Sequence, residues 1–269
     1  MPAGSGLGGS LLTLGAGGVT YEIPVAALPY LGKGLDPNLF TVSDLLSKER
    51  SGRVPVRVGD PAARITGRYE INENGKKIAA GNAVGSSVSY GDFYTTVTLG
   101  SKPSTIRFVL NASRKGAQYP LSASSHAVWT WRSAHESGVS VPRGWACRVV
   151  PTAPHLRGRD CAAEPMMTLR YSVAGLALNG SAAAGRQSVG ITVGHIQLAA
   201  AAKITGAKVQ VSLDGGKTWR AARVTGSGGA YRAAFTAAAG RYVTLRVTAA
   251  DAAGGKISET ITRAYKIAS

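Results

Sequence analysis

Residues 207–224 read AKVQVSLDGGKTWRAARV, and this stretch decides the fold. Val209 and Val211 alternate with Lys208, Gln210 and Ser212, the period-two pattern of a strand with one buried face. The run stops at Asp214-Gly215-Gly216, a turn signal, and resumes at Trp219–Val224 as a second strand. Downstream, Val243, Leu245 and Val247 alternate in the same way within Tyr242–Ala249. Further strands are expected at Thr168–Val173, Ser188–Val193, Tyr231–Thr236 and Glu259–Tyr265. Turn residues separate them at intervals that match an immunoglobulin-like or fibronectin-like sandwich.

Upstream of this region the pattern is still β. Arg64–Ile71 and Lys76–Ala80 flank Asn74-Gly75, the strongest short hairpin signal. Phe93–Leu99, Thr105–Leu110 and Ala127–Arg132 complete a second group of strands. Trp129 and Trp131 share a face of the last strand: buried, they anchor a core; exposed, they could stack on sugar rings. Toward the start, Val54–Val58 alternates as a strand, and Val42–Glu49 reads as a short helix capped by Thr41 or Ser43. The expected fold is therefore mainly all-β, with tandem sandwich-like regions. Its divisions are a mixed N-terminal segment (1–58), a first β-sandwich-like domain (59–134), a cysteine-bearing linker (135–165) and a C-terminal immunoglobulin-like sandwich (166–269).

Charge narrows the class of partner. The chain has 269 residues with 31 Lys and Arg against 14 Asp and Glu, a formal net charge of +17. Such a field attracts anionic polymers, whether polysaccharide, wall polymer or nucleic acid. The plainer alternative is that scattered basic residues only keep a weakly charged β protein soluble. No apolar stretch is long enough to span a membrane as a helix. Met1–Gly9 lacks the basic and apolar run of a secretory leader.

Two cysteines, Cys147 and Cys161, lie in the Pro- and Arg-rich linker. Their spacing suits a disulfide worth about 3 kcal/mol by chain-entropy reasoning; two free thiols are the alternative. No Cys-x-x-Cys or paired His accompanies them, so no zinc site and no cofactor are expected.

The same residues carry a family likeness. Val209–Arg220 resembles the VSxDGGxTWR hairpin in the C-terminal domains of large secreted actinobacterial subtilisin-family serine peptidases. Tyr242–Asp251 and Ile261–Tyr265 continue the likeness, and Val128–Ser133 is similar to their WTFRS strand. Ala27–Tyr30 and Leu35–Phe40 resemble the pro-region of those enzymes. The protease domain that lies between pro-region and accessory domains in that family has no counterpart in this chain. The resemblance implies a secreted or cell-wall-associated accessory protein without the catalytic machinery.

Tests for chemistry agree with that expectation. A subtilisin-type triad needs Asp, His and Ser in their local signatures, yet the four histidines precede Ala127, Glu136, Leu156 and Ile196, never Gly. His135-Glu136 lacks a second His at position 139, where Val stands, so a metalloprotease helix is not formed. Gly216-Lys217-Thr218 ends like a phosphate loop but has Val211 where the first Gly is required. Ser212, Asp214, Gly216, Thr218 and Trp219 match an Asp-box, S-x-D-x-G-x-T-W. Read physically, this is a hairpin device in which the carboxylate accepts turn N–H groups and the indole packs beneath; its other use is in glycan-handling propellers, which need several copies.

The leading expectation is a non-catalytic secreted binding or scaffold module for an anionic polymer. Candidate contacts are Arg107, Arg114, Lys115, Arg143, Arg148, Arg157 and Arg159, opposed in that region by Glu136, Asp160 and Glu164. The rival expectation is a regulatory partner of a separate subtilisin-type protease chain.

Overall fold

The computed structural model describes residues 12–15, 18–24, 64–82, 92–97, 99, 102–115, 120–134, 139, 162–177, 179–196 and 199–269. The helix expected over Val42–Glu49, the strand over Val54–Val58, both cysteines, and Arg143, Arg148, Arg157 and Arg159 lie outside the described residues. Among the described residues there is no helix, and the described structure is all-β.

The strands run in chain order as β1 (Leu12–Gly15), β2 (Gly18–Pro24), β3 (Arg64–Glu73), β4 (Lys76–Asn82), β5 (Asp92–Val97), β6 (Ser104–Lys115), β7 (Ser124–Ser133) and β8 (Ala162–Ala163). They continue as β9 (Met167–Val173), β10 (Ser181–Ala182), β11 (Gly185–His195), β12 (Ile204–Ser212), β13 (Arg220–Ala221), β14 (Arg223–Ser227), β15 (Ala230–Ala237), β16 (Tyr242–Asp251) and β17 (Lys256–Ile267). A small sheet has the order β5-β2-β1-β8. A second four-stranded sheet runs β14-β15-β11-β9. The largest runs β13-β12-β16-β17-β7-β6-β3-β4, with β10 added in parallel beside β17.

Alternation explains why the last two sheets pack face to face. In β7, residues 125, 127, 129, 131 and 133 are buried while 126 and 132 are exposed. Val209 and Val211 on β12 stand opposite Val247 and Leu245 on β16, and all four are buried. The facing sheet supplies Leu169, Val173, Val189, Ile191, Val193 and Ala233 to the same cluster. Each Val, Leu or Ile among them contributes about 1.5–3 kcal/mol on burial.

The two tryptophans take the core position. Trp129 is 3% and Trp131 1% exposed, and Trp129 stacks on Phe108 with ring centroids 5.2 Å apart. Their indole N–H groups need acceptors once buried. Trp129 Nε1 donates to the Met167 carbonyl at 3.0 Å and Trp131 Nε1 to Glu164 Oε2 at 2.8 Å. Ser133 Oγ donates to the other oxygen, Oε1, at 2.6 Å. Glu164 is 1% exposed, so it is a core acceptor and not the surface counter-charge its neighbours in sequence suggest.

The long sheet crosses from the 59–134 region into the 166–269 region without a break. Ser124–Thr130 of β7 pair antiparallel with Lys256–Thr262 of β17, register Ile257↔Trp129 and Glu259↔Ala127. At the far end the Asn74-Gly75 turn closes β3 onto β4 with φ of 50° and 82°, the left-handed pair that a two-residue hairpin requires.

Candidate functional site

One row of residues on the outer face of the long sheet forms the site. Directly paired residues in an antiparallel ladder project from the same face. The ladders place Asn82 opposite Arg68, Arg68 opposite Asn111, and Asn111 opposite His126. They continue His126 opposite Thr260, Thr260 opposite Arg246, and Arg246 opposite Gln210. A polar row therefore runs unbroken across seven strands, from β4 to β12. Two rows along the same face, beyond Glu70, Val109 and Val128, Arg107 stands opposite Asn72 and Thr130, with Lys256 beyond Thr130.

The part of the row from Asn82 to Thr260 lines two adjoining depressions that share Arg68 and Asn111. One, of about 520 Å³, is lined by Arg68, Glu70, Lys77, Arg107 and Val109 among others. The second, of about 490 Å³, is lined by Asn82, Ser113, Ser124, His126, Thr260 and Thr262 among others. Glu70 is the carboxylate in this lining, and it is held locally. Asn72 Nδ2 donates to its Oε1 at 2.8 Å, and Arg107 lies 3.9 Å from the same oxygen.

His126 reports the local field. Its Nδ1 lies 2.6 Å from Asn111 Oδ1. Burial, then the positive charges of Arg107 and Arg246, hold its pKa below the usual 6.5. The imidazole is therefore neutral at pH 7, with guanidinium groups on both sides. Arg246 also lies 3.9 Å over the Trp219 ring, which fixes the guanidinium on the face by a cation–π contact.

That indole belongs to the hairpin at the corner of the sheet. Ser212 Oγ donates to Asp214 Oδ1 at 2.7 Å and accepts from the Gly216 N–H at 2.8 Å. The Thr218 N–H donates to Asp214 Oδ1 at 2.9 Å and its hydroxyl to Oδ2 at 2.6 Å. Gly215 and Gly216 take φ of 76° and 97°, a left-handed turn that brings Thr218 back over the carboxylate. The Thr218 hydroxyl, then its N–H, then the Ser212 hydroxyl, hold the Asp214 carboxyl well below the usual carboxylate range.

A histidine–aspartate pair is buried between β11 and β16. His195 Nε2 is 2.9 Å from Asp251 Oδ2, and the side chains are 4% and 1% exposed. Asp251 Oδ1 accepts the Ala253 and Gly255 N–H groups at 2.9 and 2.7 Å. The pair ties the β16–β17 turn to the end of β11 across the two layers.

Of the basic residues singled out in sequence, Arg107 lies on the candidate face. Arg114 and Lys115 lie at the end of β6, opposite Ile65 and Arg64. Arg68, Lys77, Asn111, His126, Thr260 and Arg246 were not singled out. Each occupies an ordinary polar position of an alternating strand, and only the register lines them up. Among the described residues no three His, Cys, Asp or Glu side chains converge as a metal site. Compared with known protein families and with curated proteins, the chain shows no match.

Proposed function

We propose that this protein is a non-catalytic binding module that holds an anionic polymer on the outer face of its long sheet, acting outside the cell or at its wall. The observation that carries this reading is the Arg68–Asn111–His126–Thr260–Arg246 row with Arg107 and Lys77 beside it. The backbone of a sheet face is rigid, so its cations are spaced before the ligand arrives and the ordering cost on binding falls on their side chains. The net charge of +17 adds long-range attraction that salt screens, whereas contacts on the face persist.

The test is binding to a panel of polyanions across a salt titration, with Arg68→Glu combined with Arg107→Glu. The expected result is retained binding at physiological salt by the native protein and at least about a tenfold loss in the variant, its melting temperature unchanged. Binding that disappears at physiological salt for every polymer alike, or a variant that binds as well as the native chain, overturns the reading.

A second reading rests on the VSLDGGKTWR hairpin and its likeness to subtilisin-family accessory domains: an accessory partner of a separate protease chain. Co-purification of such an enzyme favours it, and a clean pull-down rejects it. Both readings place the protein in an oxidising compartment and carry the Cys147–Cys161 disulfide with them. Thiol labelling that appears only after reduction is the expected result, and labelling without reduction rejects the bridge.

A further inference from the structure

We infer that the ligand of this face is a polyhydroxylated polyanion, an acidic polysaccharide whose units carry both a negative group and free hydroxyls. This deepens the proposed polymer-binding function and rests on it.

The two adjoining depressions differ in chemistry. Beside Glu70, which Asn72 and Arg107 hold, the first offers Arg68, Lys77 and Arg107, which are donors only. They suit a carboxylate or sulfate, a group that only accepts. The second shares Arg68 and Asn111 with the first and adds Asn82, Ser124, Thr260 and Thr262, whose amide and hydroxyl groups both donate and accept. A bare phosphate chain has acceptors alone and would leave the accepting half of that lining unused. Sugar hydroxyls use both halves.

His126 extends the match. Held neutral by burial, then by Arg107 and Arg246, its ring is a mixed donor–acceptor group in the second depression and not another cation. Groups facing it from the neighbouring strands are Asn111 on β6 and Thr260 on β17, with Arg246 on β16 and Arg68 on β3 beyond them.

Length fits a chain. Arg107, Val109, Asn111 and Ser113 follow one another along the outer face of β6, and the two depressions together contain all four. At about 3.4 Å per residue the trough runs roughly 20 Å, room for several sugar units in line. Val109, buried at the floor, gives the apolar face of a ring a place to lie.

The experiment compares three probes at equal ionic strength with the full chain: polygalacturonate, inorganic polyphosphate and neutral dextran. Polygalacturonate is expected to bind at least about tenfold tighter than polyphosphate, and dextran to bind weakest. Ser124→Ala with Thr262→Val is expected to cut polygalacturonate affinity about tenfold and polyphosphate affinity by clearly less, since phosphate uses those hydroxyls only as donors. Arg68→Ala with Arg107→Ala should weaken both. Equal binding of the two polyanions, or equal loss in the hydroxyl variant, overturns this inference and leaves polyanion binding standing. In a fourth measurement, with duplex DNA as the probe, preference for DNA over polygalacturonate also overturns it. If no polyanion binds, the proposed function falls with it.

Discussion

The phenolic hydroxyl of Tyr171 on β9 donates to Glu259 Oε2 on β17 at 2.6 Å, so a hydrogen bond crosses between the two sheets inside the core. Glu259 is 1% exposed, stands between Ala127 and Val247 in the ladder, and its Oε1 has no hydrogen-bond partner among the described residues. Burial raises its carboxyl from 4.5 to about 7, although the Tyr171 hydroxyl pulls the other way.

A pKa raised on folding means that the native state holds this proton more tightly than the unfolded chain. Its contribution to stability is complete below the unfolded value and is lost as pH rises through the folded one. The window therefore runs from 4.5 to about 7. A shift of this size corresponds to roughly 3 kcal/mol between the ends of the window. Glu259→Gln should be more stable than the native chain at about pH 8 and near-equal at about pH 5, by denaturant midpoint. Tyr171→Phe removes the opposing hydrogen bond, so the loss should move to higher pH and deepen. Parallel stability curves for native chain and Glu259→Gln would show that the carboxyl is not titrating in this range.

The Trp131–Glu164 bond should behave differently, because both oxygens of that carboxylate are engaged. Glu164→Ala strands a buried indole N–H and the Ser133 hydroxyl, at a cost of roughly 2–4 kcal/mol. Trp131→Phe keeps most of the ring volume and should couple with Glu164→Ala in a double-mutant cycle. Additive losses in that cycle would mean that the bond contributes nothing beyond packing.

In the corner hairpin the sign of the pH effect is reversed. The Asp214 carboxyl is depressed on folding, so its contribution is present above the ordinary carboxylate range and lost as the medium becomes acid. Thr218→Val removes the largest cause of the depression and should raise the Asp214 pKa toward the ordinary carboxylate value, read by carboxyl NMR titration. Trp219 fluorescence should follow the same titration, because the indole follows directly on Thr218 and packs on Arg246. An Asp214 titration unmoved by Thr218→Val would refute this account of the turn.

Much of this was legible in the sequence, and the reason is local. Strand positions follow from period-two alternation, which is why β7, β12 and β16 stand where Trp129–Trp131, Val209–Val211 and Val243–Val247 place them. The turn at Asn74-Gly75 is likewise written in two residues. The pairing of β7 with β17 is not, since nothing in either strand names a partner more than a hundred residues away. The candidate face depends on that pairing: Arg68 and Arg246 share a row only because the ladders between them are in register. Glu259 carried a weak signal. It sits midway between Ile257 and Ile261 at an inward position, and alternation alone marks it as buried.

The β7–β17 ladder can close only late in synthesis. Strands β16, β7 and β10 all lean on β17, yet residues 256–267 leave the ribosome after every strand they join. Until they emerge, β7 and β16 each present an open edge, one carrying the two tryptophans. A nascent chain thus exposes two sticky borders, and the strand that closes them is the last of the set to be made.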